Sequence, residues 1–247
     1  HEPHLPMHPS GGRSVLVLGG LVTALNLLLS LTVGVRLFAK ARRGGWPAPE
    51  LSLALYFLVS AFLSTPPQIL VYGGMSDARL AVSEPASRAL LAFAVLALAI
   101  GAGAIYVFSW KTFRPDRLGA KAIVALGCAT LAVGYGIEAI HEGFAPVVFA
   151  GWGHWIGWAG RTTAMLIVCV ESFRYWLMLR RRQQLGLSDP VLTNRFLLWA
   201  IWASCATLNL VADLASRSLY WFFFGTVQPS PENLAALVGP TIIVTML

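Results

Sequence analysis

GWGHWIGWAGRTTAMLIVCVESFRYWLMLRRR, residues 151–182, decides the fold. Its middle, 155–179, is apolar for long enough to cross a bilayer. A hydrocarbon core of about 30 Å takes about 20 helical residues at about 1.5 Å each. The stretch opens on Trp152, His154, Trp155 and Trp158 and closes on Arg180, Arg181 and Arg182. Indole rings favour the membrane–water interface, and arginines accumulate on the cytoplasmic side. The stretch therefore reads as a transmembrane helix with an outer aromatic end and an inner basic end. Arg161 and Glu171 lie inside the run. Charges in hydrocarbon are costly and face a bundle interior or a wet cavity, so the helices are expected to enclose something polar.

The composition agrees. Of 247 residues, 57% are hydrophobic and 12% charged, against about 25% charged in soluble domains. The net charge is +7. Its cations sit in alternate short loops between apolar runs, which argues against a nucleic-acid partner and for a lipid bilayer. Cys128, Cys169 and Cys205 each lie in an apolar run and read as structural thiols. Residues 1–13 are polar and Pro-rich. His1, His4, Met7 and His8 form a tract that could bind copper or zinc, although it reads more simply as a disordered tail.

Seven apolar runs follow, at 14–38, 50–72, 89–110, 120–140, 155–179, 195–216 and 233–247. With the amino terminus outside, thirteen of the eighteen Lys and Arg residues fall on the cytoplasmic side, after runs one, three and five. The expected architecture is thus an all-α integral membrane protein: a seven-transmembrane-helix bundle, amino terminus outside and carboxyl terminus cytoplasmic. The Ala, Leu, Gly and Arg bias suggests a bacterial source, and hence the bacterial inner membrane. Run seven reaches only about 22 Å, from which a continuation into a cytoplasmic segment is expected. Pro66 and Pro67 should kink run two. Gly101 and Gly103 in run three, and Gly127, Gly134 and Gly136 in run four, should let those two runs pack closely.

Counting inward from the basic ends places Glu138, His141, Glu142, His154, Arg161, Asn209, Asp213 and Arg217 in one layer near the outer face. Four of them, Glu138, Arg161, Asn209 and Asp213, are the expected ligand-binding groups for an anionic or zwitterionic small molecule. His141, Glu142 and His154 are a candidate zinc set, since zinc takes imidazole and carboxylate ligands. Glu171 and Arg174, one turn apart near the inner end, are a candidate switch. Glu171 would be held by a basic residue and released when the bundle rearranges. Trp152, Trp155 and Trp158 read as an outer aromatic belt, together with the aromatic run 219–224.

Some chemistry is excluded. Covalently bound retinal needs an intramembrane lysine, and the three lysines, Lys40, Lys111 and Lys121, all sit at the cytoplasmic edge. The chain lacks a phosphate-binding GxxxxGK[ST] loop and a G-x-S-x-G elbow. The layout suits a receptor or sensor module that binds a small ligand or metal in an outward-facing polar cavity and signals to a cytoplasmic or membrane partner. A transporter or channel, a membrane-embedded metal-dependent hydrolase and a structural subunit of a complex are the alternatives.

Overall fold

The computed structural model describes residues 10–76, 82–145, 151–187 and 189–224. These residues are helical throughout, joined by short turns, with no strand among them. The helices are α1 (Ser10–Arg43), α2 (Ala48–Leu55), α3 (Thr65–Ser76), α4 (Glu84–Phe113), α5 (Leu118–Ile137), α6 (Trp152–Gln184) and α7 (Pro190–Phe224). A π-helical segment, Tyr56–Leu63, joins α2 to α3, and a second, Glu138–Glu142, ends α5. Six stretches are long and apolar enough to cross a membrane: Thr23–Arg43, Ala48–Val71, Glu84–Phe113, Leu118–Glu142, Trp152–Gln184 and Pro190–Ala212. The seventh run, 233–247, lies outside the described residues, as does the tract at 1–9. The aromatic run from Leu219 continues α7 without a break.

The surface is that of a protein in a bilayer. Leu25, Leu28, Leu126, Val133, Leu198 and Leu208 are all more than half exposed, on α1, α5 and α7. Apolar exposure on this scale is rare on a soluble monomer. α4 is the central helix and packs on α2, on the π segment and α3 that continue the same span, and on α5 and α6. Close approach along its middle is possible because the buried residues there are mostly small, Ala94, Ala97, Gly101, Ala102 and Ala104.

The glycines do more than close runs three and four. On α4, Gly101 lies against Ser60 of the π segment, where a Cβ would stand 2.1 Å from the serine Cβ. Gly127 makes room for the Tyr106 ring, a contact between runs three and four as expected. Gly134, however, meets run five: its added Cβ would be 2.6 Å from the Gly157 nitrogen. α5 and α6 therefore cross backbone to backbone at Gly134, Gly153 and Gly157. Periodicity shows that a face is small but not which helix it meets.

The turns at the basic end are short. Gly186 (φ +71°) ends α6 in a Schellman turn, with Leu187 N–H donating to the Arg182 carbonyl at 2.9 Å. Lys40 and Glu50 pair at 3.1 Å across the α1–α2 turn.

Candidate functional site

The second span is broken where the site lies. Pro66 and Pro67 remove two backbone donors, and the disturbance spreads towards the amino end as the π segment. Nearby hydroxyls and an amide take up carbonyls around the break. Ser64 Oγ donates to the Ser60 carbonyl, Thr65 Oγ1 to that of Ala61 (2.8 Å) and Gln68 Nε2 to that of Ser64 (3.0 Å). The expected kink is thus a widened helix carrying polar side chains on its inner face. π segments are rare, and often mark functional positions.

That face forms one wall of a cavity of about 490 Å³. Ser60, Ser64, Thr65 and Gln68 line it from the second span. Asn26 and Ser30 line it from α1, Glu138 from the second π segment, His154, Trp158 and Arg161 from α6, and Cys205 and Asn209 from α7. Tyr56, Ala102, Met165 and Trp202 close it towards mid-membrane. The cavity lies in the half of the bundle away from the arginine-rich end. Three of the four expected ligand-binding residues, Glu138, Arg161 and Asn209, share this one space, together with His154. The fourth, Asp213, is on α7 one turn beyond Asn209, but its side chain is outside the described residues.

The charges in the cavity act on one another, since Glu138 is within electrostatic range of both Arg161 and Glu142. Trp158 Nε1 and Asn209 Oδ1 are buried with no hydrogen-bond partner among the described residues. A buried donor or acceptor left unpaired costs about 1–3 kcal/mol, so these two atoms favour a polar guest. Trp158 is therefore not simply part of the outer aromatic belt. Trp152, at 78% exposed, fits that role, and Trp158 turns inward. The cavity-lining Asn26, Ser60 and Gln68 carry no charge and so escape a reading based on charged residues. Helical phase against the prolines flags Ser60, Ser64 and Gln68, which fall at four-residue spacing.

The other candidates separate. His141 is exposed on the second π segment. Glu142 Oε1 accepts the Gly153 backbone N–H at 2.8 Å and so caps the first turn of α6. Arg88 pairs with Glu84 at 2.7 Å and reaches the Gly143 carbonyl at 3.5 Å, beside that cap. Among the described residues, no group of three His, Cys, Asp or Glu side chains is placed to hold a metal.

Between the cavity and the basic end lies a dense apolar layer. Phe108 packs edge-on against Trp199 (5.2 Å between centroids), and Phe196 packs against Trp199 (5.2 Å) and stacks on Tyr175 (5.3 Å). Ile105, Phe108 and Val168 are almost wholly buried there. Below it, Glu171 is tied to Arg114 at the end of α4, with Arg174 a weaker partner at 3.8 Å. Glu171 is 14% exposed, Arg114 34% and Arg174 66%. The interhelical partner of Glu171 is thus Arg114, while the in-helix Arg174 points largely to solvent. Tyr175, one turn on, donates to the Phe113 carbonyl at 3.2 Å, so α4 and α6 are joined twice at this level.

No family model, no curated protein and no solved structure matches this chain.

Proposed function

We propose that the chain is a membrane receptor or sensor module. It binds a small zwitterionic or strongly hydrogen-bonding molecule in the 490 Å³ cavity and transmits the bound state to the basic end. The observation that carries the reading is convergence. One acid, one base, an imidazole and an amide, from three separate segments, line a single space with aromatic walls. Binding sites are typically apolar hollows with a few convergent polar groups. Glu138 would meet an ammonium, Arg161 a carboxylate or phosphate, and Asn209 with Trp158 the neutral polar atoms between them.

In this reading the bundle has seven spans, with 233–247 as the last. The amino terminus is outside and the carboxyl terminus cytoplasmic, because the cations collect at one end, and the Ala, Leu, Gly and Arg bias supports a bacterial inner membrane. The cavity then faces outward. The aromatic layer favours a receptor over a transporter or channel, since a permeation path would have to cross Phe108, Phe196 and Trp199. The Arg114–Glu171 pair is the natural place for the signal to emerge. A guest that shifts α6 against α4 at Met165 and Ala102 would load that pair, for a cytoplasmic or membrane partner to read.

The test is a thermal-shift screen of the purified protein. The probes are the amino acids and glycine betaine, with their singly charged and neutral analogues. A guest at one hundred times its Kd stabilises by about 2.7 kcal/mol. The expected result is a concentration-dependent rise in Tm for a zwitterion, lost in Glu138→Gln and in Asn209→Leu. An equal rise in both variants, or none in the wild type across the panel, contradicts the reading.

A further inference from the structure

A second hollow, separate from the polar cavity, lies between α4, α5 and α6 at the basic end. Its volume is about 260 Å³. Ile123, Val124, Leu166, Ile167 and Val170 form its hydrocarbon walls. Ile123, Leu166 and Val170 are also 46–48% exposed, so the hollow is reached from the lipid side of the bundle. Glu171 is the one carboxylate that lines it, and Arg114 already holds that charge.

The chain between α4 and α5, beside this hollow, is basic: Lys111, Arg114, Arg117 and Lys121 occur there, with Asp116 the only acid in that stretch. Two of them converge on one indole. Lys111 Nζ is 4.1 Å and Lys121 Nζ 5.8 Å from the Trp110 ring centroid. The ring is fixed by its N–H, which donates to the Pro115 carbonyl at 3.0 Å, and it also lines the hollow. Trp110 therefore joins a cationic rim to an apolar interior, at the level where indoles meet the headgroup region.

We infer that this is a binding site for one anionic phospholipid. The phosphate lies between Lys111 and Lys121, the glycerol ester against Trp110, and part of one acyl chain in the hollow. Basic pockets between membrane helices suit anionic headgroups. A soluble phosphate would use the rim but gain nothing from the hydrocarbon walls. A neutral lipid would fill the hollow but gain nothing from Lys111 and Lys121. Only a ligand that is both anionic and acylated uses every feature present. The site stands apart from the polar cavity and does not depend on what that cavity binds.

The experiment is native mass spectrometry of the detergent-purified protein. It is titrated with phosphatidylglycerol, phosphatidylcholine of the same chains, and glycerol 3-phosphate. The expected result is one retained phosphatidylglycerol, bound at least tenfold more tightly than phosphatidylcholine. A cation near the membrane surface contributes roughly fivefold, so Lys111→Gln with Lys121→Gln should cut that preference at least tenfold. Both residues are exposed, so the double variant keeps the fold. Val170→Trp should weaken both lipids by filling the hollow. Arg42→Gln with Arg43→Gln, at another loop of the same end, should change nothing. Equal binding of the two lipids in the wild type overturns the inference. So does an equal loss of preference in the Arg42 and Arg43 variant, which would mean a diffuse field. Glycerol 3-phosphate binding as tightly as phosphatidylglycerol would assign the rim to a soluble anion instead.

Discussion

Replacing Gly153 by alanine should push apart the two helices that carry Glu138 and Arg161. A Cβ at Gly153 would stand 2.5 Å from the Glu138 nitrogen, 2.8 Å from the Gly134 carbonyl oxygen and 2.9 Å from the Glu138 Cα. All three are backbone atoms, so no rotamer change relieves the clash. Restoring ordinary contact needs a local separation of roughly 1 Å, and overpacking of this kind costs about 1–3 kcal/mol. Helix propensity works the other way, because alanine is favoured over glycine by about 0.8–1.0 kcal/mol in a helix interior. Gly153 stands in the first turn of α6, where roughly half of that preference applies, so the net expectation is a loss of about 0.5–2.5 kcal/mol. Gly157, one turn on, supplies the control. A Cβ there meets nothing within 4 Å, so Gly157→Ala should be neutral or stabilising by up to about 1 kcal/mol. Both are measured by denaturant titration of the purified protein, followed by circular dichroism. Gly153→Ala as stable as the wild type, or Gly157→Ala destabilised to the same extent, would refute the backbone-to-backbone crossing.

Two further outcomes follow from the ion pairs and caps. Arg114→Gln should destabilise by about 1–3 kcal/mol, between surface and buried pairs, while Arg174→Gln stays within about 0.5 kcal/mol; the same titration separates them. Glu142→Ala removes the cap on the Gly153 N–H and should cost about 0.5–2 kcal/mol. Glu142→Gln keeps an acceptor oxygen and should recover most of that loss, read as Tm in a thermal melt.

Depth is legible in the sequence and direction is not. Neighbouring spans share a marked basic end and each rises by a fixed step, so counting residues alone puts Glu138, His154, Arg161 and Asn209 at one level. Which side of its helix each residue occupies depends on neighbours that the sequence does not identify. Depth groups His141 with His154, yet His141 is exposed while His154 lines the cavity. Glu142 reads as a metal ligand because the group its carboxylate accepts from, the Gly153 N–H, lies eleven residues away in the chain. For Glu171 the nearest basic residue in sequence, Arg174, is not the main partner. Arg114 is 57 residues away, and only the packing of α4 on α6 brings it close. The proline pair announces a break, but the break is a π segment extending before the prolines. Its extent depends on Ser64, Thr65 and Gln68 finding carbonyls to bond.

Cys205 offers the most direct test of an outward-facing polar cavity, because this native thiol lines its wall. With Cys128 and Cys169 replaced by alanine, intact cells are treated with a small, charged, membrane-impermeant methanethiosulfonate, and the modified fraction of Cys205 is measured by mass. The expected result is modification from outside, slowed by any ligand that raises Tm. A Cys205 that stays unmodified in intact cells, yet reacts fully after denaturation or only from the cytoplasmic side, would contradict it.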